Sequence, residues 1–283
     1  MKQAEGFQRN SEQVASHRCE VLEHRWVNDR YKYLRLRTPS NLGQTTRAGQ
    51  FYQLKCPVSD DLQPFLLRPM SVYGMGPEPD VLEFLYNVTG LGTRAVSELP
   101  AGGHMDIVGP LGNTFRLDDG FERIMVVARG VGLATMAPLV KKAAERGIVI
   151  TAIMSARAPK DLMRDEFLRG VQADVHCVYD SDGSSDVEAV EALIRDLLAK
   201  CRHDAVYTCG SHRLLMLLQR LLADHPDLIG QVAMEQRMAC GMGVCLSCVR
   251  LFDTPEGDKQ FLRVCREGPV FSIRDVVGEV EFG

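Results

Sequence analysis

Residues 124–134 read Ile124-Met125-Val126-Val127-Ala128-Arg129-Gly130-Val131-Gly132-Leu133-Ala134. The first five residues form a continuous apolar run, which is typical of a parallel strand buried on both faces. A glycine-containing turn follows, and a helix-like pattern then extends to Arg146. The stretch therefore predicts the first strand–turn–helix unit of an α/β domain.

The same alternation continues toward the C-terminus. Further apolar runs lie at residues 148–154, 175–179 and 205–209, and the clearest helical patterns between and after them are at 187–198 and 211–222. Strand and helix alternating in this way predict a doubly wound α/β domain over residues 119–229, a fold class that binds dinucleotides. Gly130 and Gly132 stand in the first turn, where this fold binds a dinucleotide phosphate, although a complete G-x-G-x-x-G is missing.

Residues 18–118 have a different rhythm. Short alternating segments at 33–37, 51–54 and 82–86 are separated by turns containing glycine and proline. Strands of this length and spacing predict a small antiparallel β-barrel. The first 17 residues are polar and are predicted to form a flexible tail.

Composition excludes several classes of function. The chain is 45% hydrophobic and 25% charged, as in ordinary globular proteins, and its net charge of -4 gives no electrostatic footprint for nucleic acid. Charged residues interrupt every apolar stretch before the roughly 20 residues that a membrane span needs. Residues 1–17 lack the apolar core of a signal peptide. We therefore expect a cytoplasmic protein with neither a membrane span nor a nucleic-acid partner.

Four of the nine cysteines crowd into the last 44 residues, and they are the most informative feature of the composition. Cys240, Cys245, Cys248 and Cys265 have the spacing C-x4-C-x2-C-x16-C, which is associated with plant-type 2Fe–2S sites. A zinc site is the alternative, but it usually shows two C-x2-C pairs and this segment has one. The spacing predicts a small 2Fe–2S cluster domain over residues 230–283.

Two glycines, Gly241 and Gly243, lie inside this cysteine motif. A loop wrapped around a cluster adopts backbone conformations that side chains oppose, and its amides must approach the sulfurs closely. Hydrogen bonds from those amides raise the reduction potential of a cluster. The glycines are therefore expected to shape the loop.

Two segments of the predicted barrel have the chemistry of a flavin site. In Arg68-Pro69-Met70-Ser71, the arginine suits a diphosphate and the serine hydroxyl or amide suits the flavin, so the segment is a candidate FAD site. Gly90, Gly92 and Thr93 form a turn that enters a predicted helix, where backbone amides suit a pyrophosphate. A surface arginine beside a turn proline, and an ordinary glycine turn, are the alternatives.

The order of these motifs resembles the electron-transfer subunit of two-subunit, NAD-linked dihydroorotate dehydrogenases. The resemblance covers almost all of residues 19–275, and its most specific stretches are 68–71, 109–112, 234–245 and 264–271. The segment at 109–112 is Gly109-Pro110-Leu111-Gly112, at the boundary between the two large predicted domains. Most ferredoxin reductases lack the C-terminal cysteine motif, so the similarity is to a narrow branch.

The resemblance implies FAD bound by the barrel and a 2Fe–2S cluster that faces a partner subunit. In that family the partner carries FMN and oxidises dihydroorotate for pyrimidine biosynthesis, and electrons then pass through the cluster and FAD to NAD. It implies a heterotetramer of two such subunits with two partners. An exposed patch near Met242 and Leu246 is then expected to be buried against the partner. Cys209 is expected either near the nicotinamide or simply at the end of a buried strand.

Three residues depart from the usual pattern of the nucleotide domain. Arg129 stands where relatives usually have glycine, and Ser155 and Arg157 follow the second apolar run, where they suit either a 2′-phosphate or solvent. The choice between NAD and NADP therefore stays open. Two alternative functions also stay open: an NAD(P)H–ferredoxin or hydrogenase-type oxidoreductase subunit with the same cofactors, and a non-enzymatic flavin and iron–sulfur redox sensor.

Overall fold

The computed structural model describes residues 14–58, 61, 63–76, 78–163, 170–254 and 256–278. Most of the predicted tail, residues 1–13, lies outside these ranges. No helix in the described ranges is long and apolar enough to cross a bilayer.

The N-terminal part is a curled antiparallel sheet, as predicted. In the described residues its seven strands have the order β4-β3-β7-β1-β2-β6-β5. The strands are β1 (Ala15–Trp26), β2 (Tyr31–Arg37), β3 (Phe51–Leu54), β4 (Arg68–Ser71), β5 (Gly74–Met75), β6 (Val81–Asn87) and β7 (His104–Leu111), with the short helices α1 (Leu42–Thr45) and α2 (Leu91–Ser97). Because β4 and β5 are the two ends of this order, the sheet is a half-barrel.

Alternation along the strands builds the core of the half-barrel. Tyr52 and Leu54 of β3 point to the same face as Phe84 of β6 and Ile107 of β7, and all four side chains are buried in one cluster. Phe51, on the other face of β3, belongs to the core of the second sheet. The β3 strand therefore separates two cores and has a buried side chain on each face.

The first strand begins earlier than the tail prediction allows. Residues 15–17 belong to β1 and pair with β7, with Ala15 opposite Gly109 and His17 opposite Ile107. The sequence of this segment is polar, so its alternation carries no hydrophobic signal. Pairing with the neighbouring strand orders it, which a pattern of apolar residues does not reveal.

The second sheet carries the predicted parallel strands. They are β8 (Arg123–Arg129), β9 (Val149–Ala156), β10 (Asp174–Tyr179), β11 (Ala205–Cys209) and β12 (Ile229–Ala233), connected in part by α3 (Gly132–Glu145) and α4 (Val187–Lys200) and by α5 (His212–Asp224). A hairpin of β13 (Val249–Asp253) and β14 (Lys259–Arg263) follows, and β15 (Val270–Ser272) then joins the sheet antiparallel to β12. The sheet order is β10-β9-β8-β11-β12-β15.

This order places a topological switch point between β8 and β11. From β8 the chain moves outward to β9 and β10, and it then crosses back to place β11 on the other side of β8. Ala128 pairs with Cys209, so the carboxyl ends of the two strands are level. Doubly wound sheets bind ligands in the crevice above such a point.

The C-terminal segment is not packed separately from the α/β domain. The predicted boundary between residues 229 and 230 falls inside β12, a short glycine-containing strand. Cys248, Cys265 and Phe271 share one core with Met125 of β8 and Leu218 of α5. The cluster segment therefore completes the α/β core.

Candidate functional site

The two candidate flavin motifs lie next to each other in the structure. A Cβ atom at Gly92 would collide with the guanidinium of Arg68, so the arginine lies directly over the first turn of α2. Thr93 Oγ1 accepts hydrogen bonds from the amides of Thr89 and Gly90, both at 3.0 Å. This turn is therefore held in place beside a fixed cation, which suits the diphosphate of FAD.

The side chains of residues 68–71 alternate between the two faces of β4. Met70 is opposite Tyr52 across the strand pair and is buried in the half-barrel core, so its side chain packs there and only its backbone is available to a flavin. Pro69 and Ser71 lie on the opposite face of β4. Their partners on β3 are Gln53 and Phe51. That face looks toward the α/β core and the C-terminal segment.

A cleft of about 180 Å³ lies between the half-barrel and the carboxyl edge of the parallel sheet. Tyr31 and Asn87 line it from the half-barrel, and Gly130 and Gly210 line it from the turns after β8 and β11. It therefore occupies the switch point where a dinucleotide is expected. Asn87 Oδ1 is buried and has no hydrogen-bond partner among the described residues, so it offers an acceptor to a ligand. The predicted residue Gly130 lines the cleft, and Gly132 begins α3 behind it.

Arg129 forms part of the cleft wall through a network that the sequence did not predict. Its Nη1 donates to Ser155 Oγ at 2.8 Å and to Asp180 Oδ1 at 2.9 Å, and its Nη2 donates to Asp180 Oδ2 at 2.5 Å. These hydrogen bonds lower the pKa of Asp180 to about 2. Arg129 thus joins the ends of β8, β9 and β10 with a fork of charge-assisted bonds.

The arrangement changes the interpretation of Ser155 and Arg157. Ser155 is buried, and its hydroxyl already accepts a hydrogen bond from Arg129. Arg157 is exposed and lines the cleft. Of these two candidates for a 2′-phosphate, Arg157 alone remains open to a ligand.

Cys209 ends β11 at the base of the cleft region. Its thiol is 2% exposed, and burial raises its pKa, with the charge of Glu235 adding to the effect. Gly210 and Glu235 line the cleft, whereas Cys209 is not among the described residues that do. The surrounding protein also raises the pKa of Glu235, although part of its side chain still reaches water. A role for Cys209 near the nicotinamide stays a prediction.

The four predicted cluster ligands come together as two pairs. The Cys240 and Cys245 side chains are in hydrogen-bond contact, and so are those of Cys248 and Cys265. A 2Fe–2S cluster with four cysteine ligands has two thiolates on each iron, so the pairing matches its donor set. Within the described ranges, no group of three or more His, Cys, Asp or Glu is arranged to hold a single metal ion.

The loop amides point at the sulfurs, as the glycines predicted. Cys240 Sγ accepts from the amides of Met242 at 3.3 Å and Val244 at 3.4 Å. Gly241 and Gly243 have φ values of 70° and 84°, in the left-handed region that favours glycine. The loop is thus shaped to stabilise negative charge on sulfur, which is a further fit to an iron–sulfur cluster.

The exposed ligand Cys245 and the buried ligand Cys265, here the outer and the inner cysteine, differ in acidity. Hydrogen bonds from Ser247 and Cys240 lower the pKa of the exposed Cys245 to about 6. Burial raises the pKa of Cys265 to about 12. Burial thus opposes ionisation of Cys265, whereas hydrogen bonds favour the thiolate of Cys245, and metal binding to thiols releases protons in general.

The cluster loop is held from two sides. Arg263 donates from Nη1 to the carbonyl oxygen of Gly243 at 3.0 Å and from Nε to Glu267 at 3.0 Å. A Cβ atom at Gly241 would lie 2.5 Å from Gln53 Nε2, so the loop is packed against β3. Because β3 pairs with β4, the cluster loop packs on the strand next to the one that carries the candidate flavin motif.

Comparison with known proteins agrees with this geometry. The family model for the iron–sulfur cluster binding domain of dihydroorotate dehydrogenase B matches residues 235–277. The chain is 34% identical over 238 residues to the dihydroorotate dehydrogenase B (NAD(+)) electron transfer subunit of Streptococcus pneumoniae, covering 83% of this chain and 90% of that relative. The chain belongs to this family of electron transfer subunits.

Other members of the electron transfer subunit family are similarly close. The subunit of Enterococcus faecalis is 33% identical, covering 83% of this chain and 88% of its own, and that of Bacillus velezensis is 32% identical, with 82% and 87% covered. The similarity extends over the half-barrel and the α/β domain as well as the cysteines. The ferredoxin-reductase-like fold and the cluster-binding domain support FAD, a 2Fe–2S cluster and NAD as cofactors.

Solved structures agree on the fold. A structure of the NADH-dependent reduced ferredoxin–NADP oxidoreductase superposes with a TM-score of 0.72 at 22% identity, covering 92% of this chain and 90% of that one. A ferredoxin reductase of carbazole 1,9a-dioxygenase gives a TM-score of 0.63 at 18% identity, with 79% and 70% covered. At these identities the likeness concerns the fold alone, and it agrees with the half-barrel and α/β architecture described above.

Several residues of the site were missed by reasoning from the sequence. Asn87 and Tyr31 line the cleft from different strands, and their spacing along the chain gives no signal. Arg263 follows a pattern of alternating residues in β14 and reads as a solvated charge. Gln53 offered the best signal, because a polar residue inside the buried run 51–54 interrupts an otherwise apolar strand.

Proposed function

We propose that this chain is the electron-transfer subunit of an NAD-linked dihydroorotate dehydrogenase and acts in pyrimidine biosynthesis in the cytoplasm. Its partner is an FMN-containing subunit that oxidises dihydroorotate, and two copies of each form a heterotetramer. The observation that carries the proposal is the position of the cluster loop. One side of the loop is exposed to solvent, and the other side packs against β3, the strand that pairs with the flavin motif in β4.

The exposed side of the loop suits an entry point for electrons. Val244 is 79% exposed and Leu246 is 59% exposed, and Met242 is also open to solvent. Three large apolar side chains beside an exposed cysteine form a surface that water solvates poorly, as expected of an area covered by a partner. The short distance to the partner's redox group that electron transfer needs is then achieved by docking on this loop.

The protected side of the loop suits onward transfer. Its contact with Gln53 places it one strand away from the Arg68–Ser71 motif, and the half-barrel in turn faces the nucleotide cleft. A 2Fe–2S cluster carries single electrons, and a flavin exchanges them for the hydride that NAD accepts. The sites of this chain therefore follow one another along the path of the electrons: first the cysteines of the exposed loop, then the flavin site, then the cleft.

Purification of the tagged chain from its own organism tests the proposal. We expect recovery of an FMN-containing protein in a 2:2 complex, with reduction of NAD when dihydroorotate is added. A matched assay uses the isolated chain with NADH and an artificial acceptor, which reports on FAD and the cleft without the partner. Recovery of a different redox protein, with no dihydroorotate-dependent reduction of NAD, would refute the assignment of the partner while leaving the cofactor sites in place.

A further inference from the structure

Gln53 carries an amide in the interior of the molecule that has no partner there. Its side chain is 0% exposed, and neither Nε2 nor Oε1 forms a hydrogen bond with any described residue. Nearly all buried side-chain amides in proteins are hydrogen-bonded, so each exception needs an explanation. A ligand that supplies the missing partner is one such explanation.

The donor end of this amide is directed at the cluster loop. Gln53 lies on the face of β3 that it shares with Phe51, which packs in the same core as Cys248 and Cys265. Its Nε2 is the heavy atom nearest to a Cβ atom built on Gly241, at 2.5 Å. The donor end of the side chain therefore lies against the residue that follows the first cluster cysteine.

A neighbouring buried glutamine, Gln50, differs from Gln53 in having a partner within the chain. Gln50 is also buried, at 1% exposed, but its Oε1 accepts a hydrogen bond from the amide of Arg47 at 2.8 Å. Gln50 is thus satisfied by its own turn. Gln53, three residues later, points its amide toward the cluster loop instead.

We infer that Gln53 is a positioning residue of the cluster site, whose side-chain amide donates a hydrogen bond to a sulfur of the bound 2Fe–2S cluster. The backbone amides of Met242 and Val244 approach Cys240 Sγ from within the loop, and Gln53 approaches from the flavin side. A donor to sulfur favours the reduced, more negative cluster and raises its reduction potential. Gln53 thereby adjusts the potential of the cluster relative to FAD. The inference needs the cluster but not the identity of the partner.

The test is a redox titration of the isolated chain with FAD and cluster bound, comparing the native protein with Gln53→Met. Methionine keeps the length and volume of glutamine but lacks the donor. We expect a fall of about 30 to 60 mV in the cluster potential, which corresponds to threefold to tenfold for a one-electron couple at 59 mV per tenfold. The potential of FAD should stay unchanged, and the EPR signal of the reduced cluster should shift.

Gln50→Met is the matched control, because it removes an equally buried amide whose partner lies within the chain. It should lower thermal stability and leave the cluster potential at the native value. An unchanged cluster potential in Gln53→Met, or a shift confined to FAD, would overturn the inference. Failure of the proposed dihydroorotate activity would not affect this result, because no partner is present in the titration.

A second measurement looks for the coupling in the native chain, and one variant then excludes another glutamine as its source. Protein labelled with ¹⁵N in the side-chain amide of glutamine is reduced and studied by pulsed EPR. A hyperfine coupling from amide ¹⁵N to the cluster is expected, and it should persist in Gln236→Met, which removes the glutamine nearest to Cys240 in sequence. No coupling in the native chain, or its loss in Gln236→Met, contradicts the inference.

Discussion

At the scale of single residues, Arg68 has the most direct link to cofactor binding. Its guanidinium lies over the first turn of α2 and is steadied by donation from Nη1 to the carbonyl oxygen of Leu66 at 2.6 Å. The half-barrel therefore presents a preoriented cation beside the Gly90–Thr93 turn. Such an arrangement binds a diphosphate by charge and by hydrogen bonds together.

Replacing Arg68 with glutamine is expected to weaken FAD binding by about 10- to 100-fold, because hydrogen bonds to charged groups contribute about 1.5–3 kcal/mol. Flavin fluorescence quenching on addition of FAD to the deflavinated protein measures the affinity. Arg94→Gln is the control, since Arg94 is an exposed arginine of α2, the helix whose first turn lies beside Arg68. Equal affinity in the Arg68 and Arg94 variants would show that Arg68 does not hold the diphosphate.

Sequence reasoning succeeded for residues whose chemistry is local. The cysteine spacing and the two loop glycines predicted sulfurs surrounded by amides, and the structure has this arrangement around Cys240. It did less well for Met70, because strand alternation turns that side chain into the half-barrel core. A motif names four consecutive residues, but a strand presents only every second one to the same face.

At the scale of elements, a buried histidine joins α4 to the parallel sheet. His203 is 6% exposed, its Nδ1 lies 3.0 Å from the carbonyl oxygen of Cys201, and its Nε2 lies 3.1 Å from Thr151 Oγ1 on β9. A neutral imidazole satisfies both contacts, as donor to the carbonyl and acceptor from the hydroxyl. Burial lowers the pKa of His203 below the ordinary value of 6.5.

This histidine predicts an acid-dependent loss of stability. Below about pH 6.5 the unfolded chain binds a proton that the folded chain resists, so stability falls as pH decreases, by at most about 1.4 kcal/mol per pH unit for one proton. Stability from this group is complete above that pH. Unfolding temperatures measured at pH 5.5, 6.5 and 7.5 should therefore decline less steeply toward acid in His203→Gln than in the native protein.

His212→Gln is the control for this experiment, since His212 is exposed at the start of α5. Its profile should follow that of the native protein. A His203→Gln profile parallel to the native one would mean that other groups carry the pH dependence. Because acid also releases iron from thiolates, both variants are compared at equal cluster content.

The element boundaries show where sequence patterns were insufficient. The parallel strands β8 to β11 were predicted from apolar runs, and each was found within two residues at either end. The strand β12 was not among these runs, because its five residues include a glycine and a glutamine and form no continuous apolar stretch. The start of β1 at Ala15 was missed because its ordering comes from pairing with β7.

At the scale of the whole molecule, Asn113 connects the half-barrel to the cluster segment. Its Nδ2 donates to the carbonyl oxygens of Glu267 and Val270 at 2.9 and 2.8 Å, and its Oδ1 accepts from the amide of Val270 at 2.9 Å. Residues 264–271 include the inner ligand Cys265. One side chain at the boundary of the two large units thus anchors the backbone beside a cluster cysteine.

Asn113→Ala should loosen the cluster segment by about 2–4 kcal/mol, because each of three lost hydrogen bonds contributes about 0.5–1.5 kcal/mol. Hydrogen exchange of the amides at 264–271 is expected to accelerate at least about tenfold, with lower cluster occupancy. Asn41→Ala is the control, since Asn41 is exposed and makes no capping bond at α1. Native exchange rates in Asn113→Ala would show that core packing alone holds this segment.

The exposed face of the cluster loop predicts how the subunits assemble. A glutamate at Val244 or Met242 places a charge in an apolar interface, and we expect at least a tenfold loss of affinity for the partner, measured by interferometry on the purified subunits. The isolated chain should keep its cluster and its NADH oxidation with an artificial acceptor.

Val149→Glu is the control for docking, since Val149 is an exposed valine at the start of β9, on the edge of the sheet opposite the cleft. It should bind the partner as the native chain does. Native affinity in both Val244→Glu and Met242→Glu would exclude this loop as the docking surface. Equal losses in all three variants would indicate a general effect of added charge.

The sequence by itself determined the fold class and the kinds of chemistry that this protein holds. Apolar runs are local consequences of burial, and cysteine spacing within one loop is a local constraint, so both can be seen along the chain. The resemblance in motif order then pointed to the electron transfer subunit family.

Only the tertiary structure decided which distant groups meet. It joined Arg129 to Asp180, placed Asn113 on the cluster segment, and pointed the amide of Gln53 at Gly241. Arg129 and Asp180 are 51 positions apart in the chain, Asn113 and Val270 are 157 apart, and Gln53 and Gly241 are 188 apart. Such contacts depend on strand order and on the packing of one unit against another, and no local pattern of residue types encodes either.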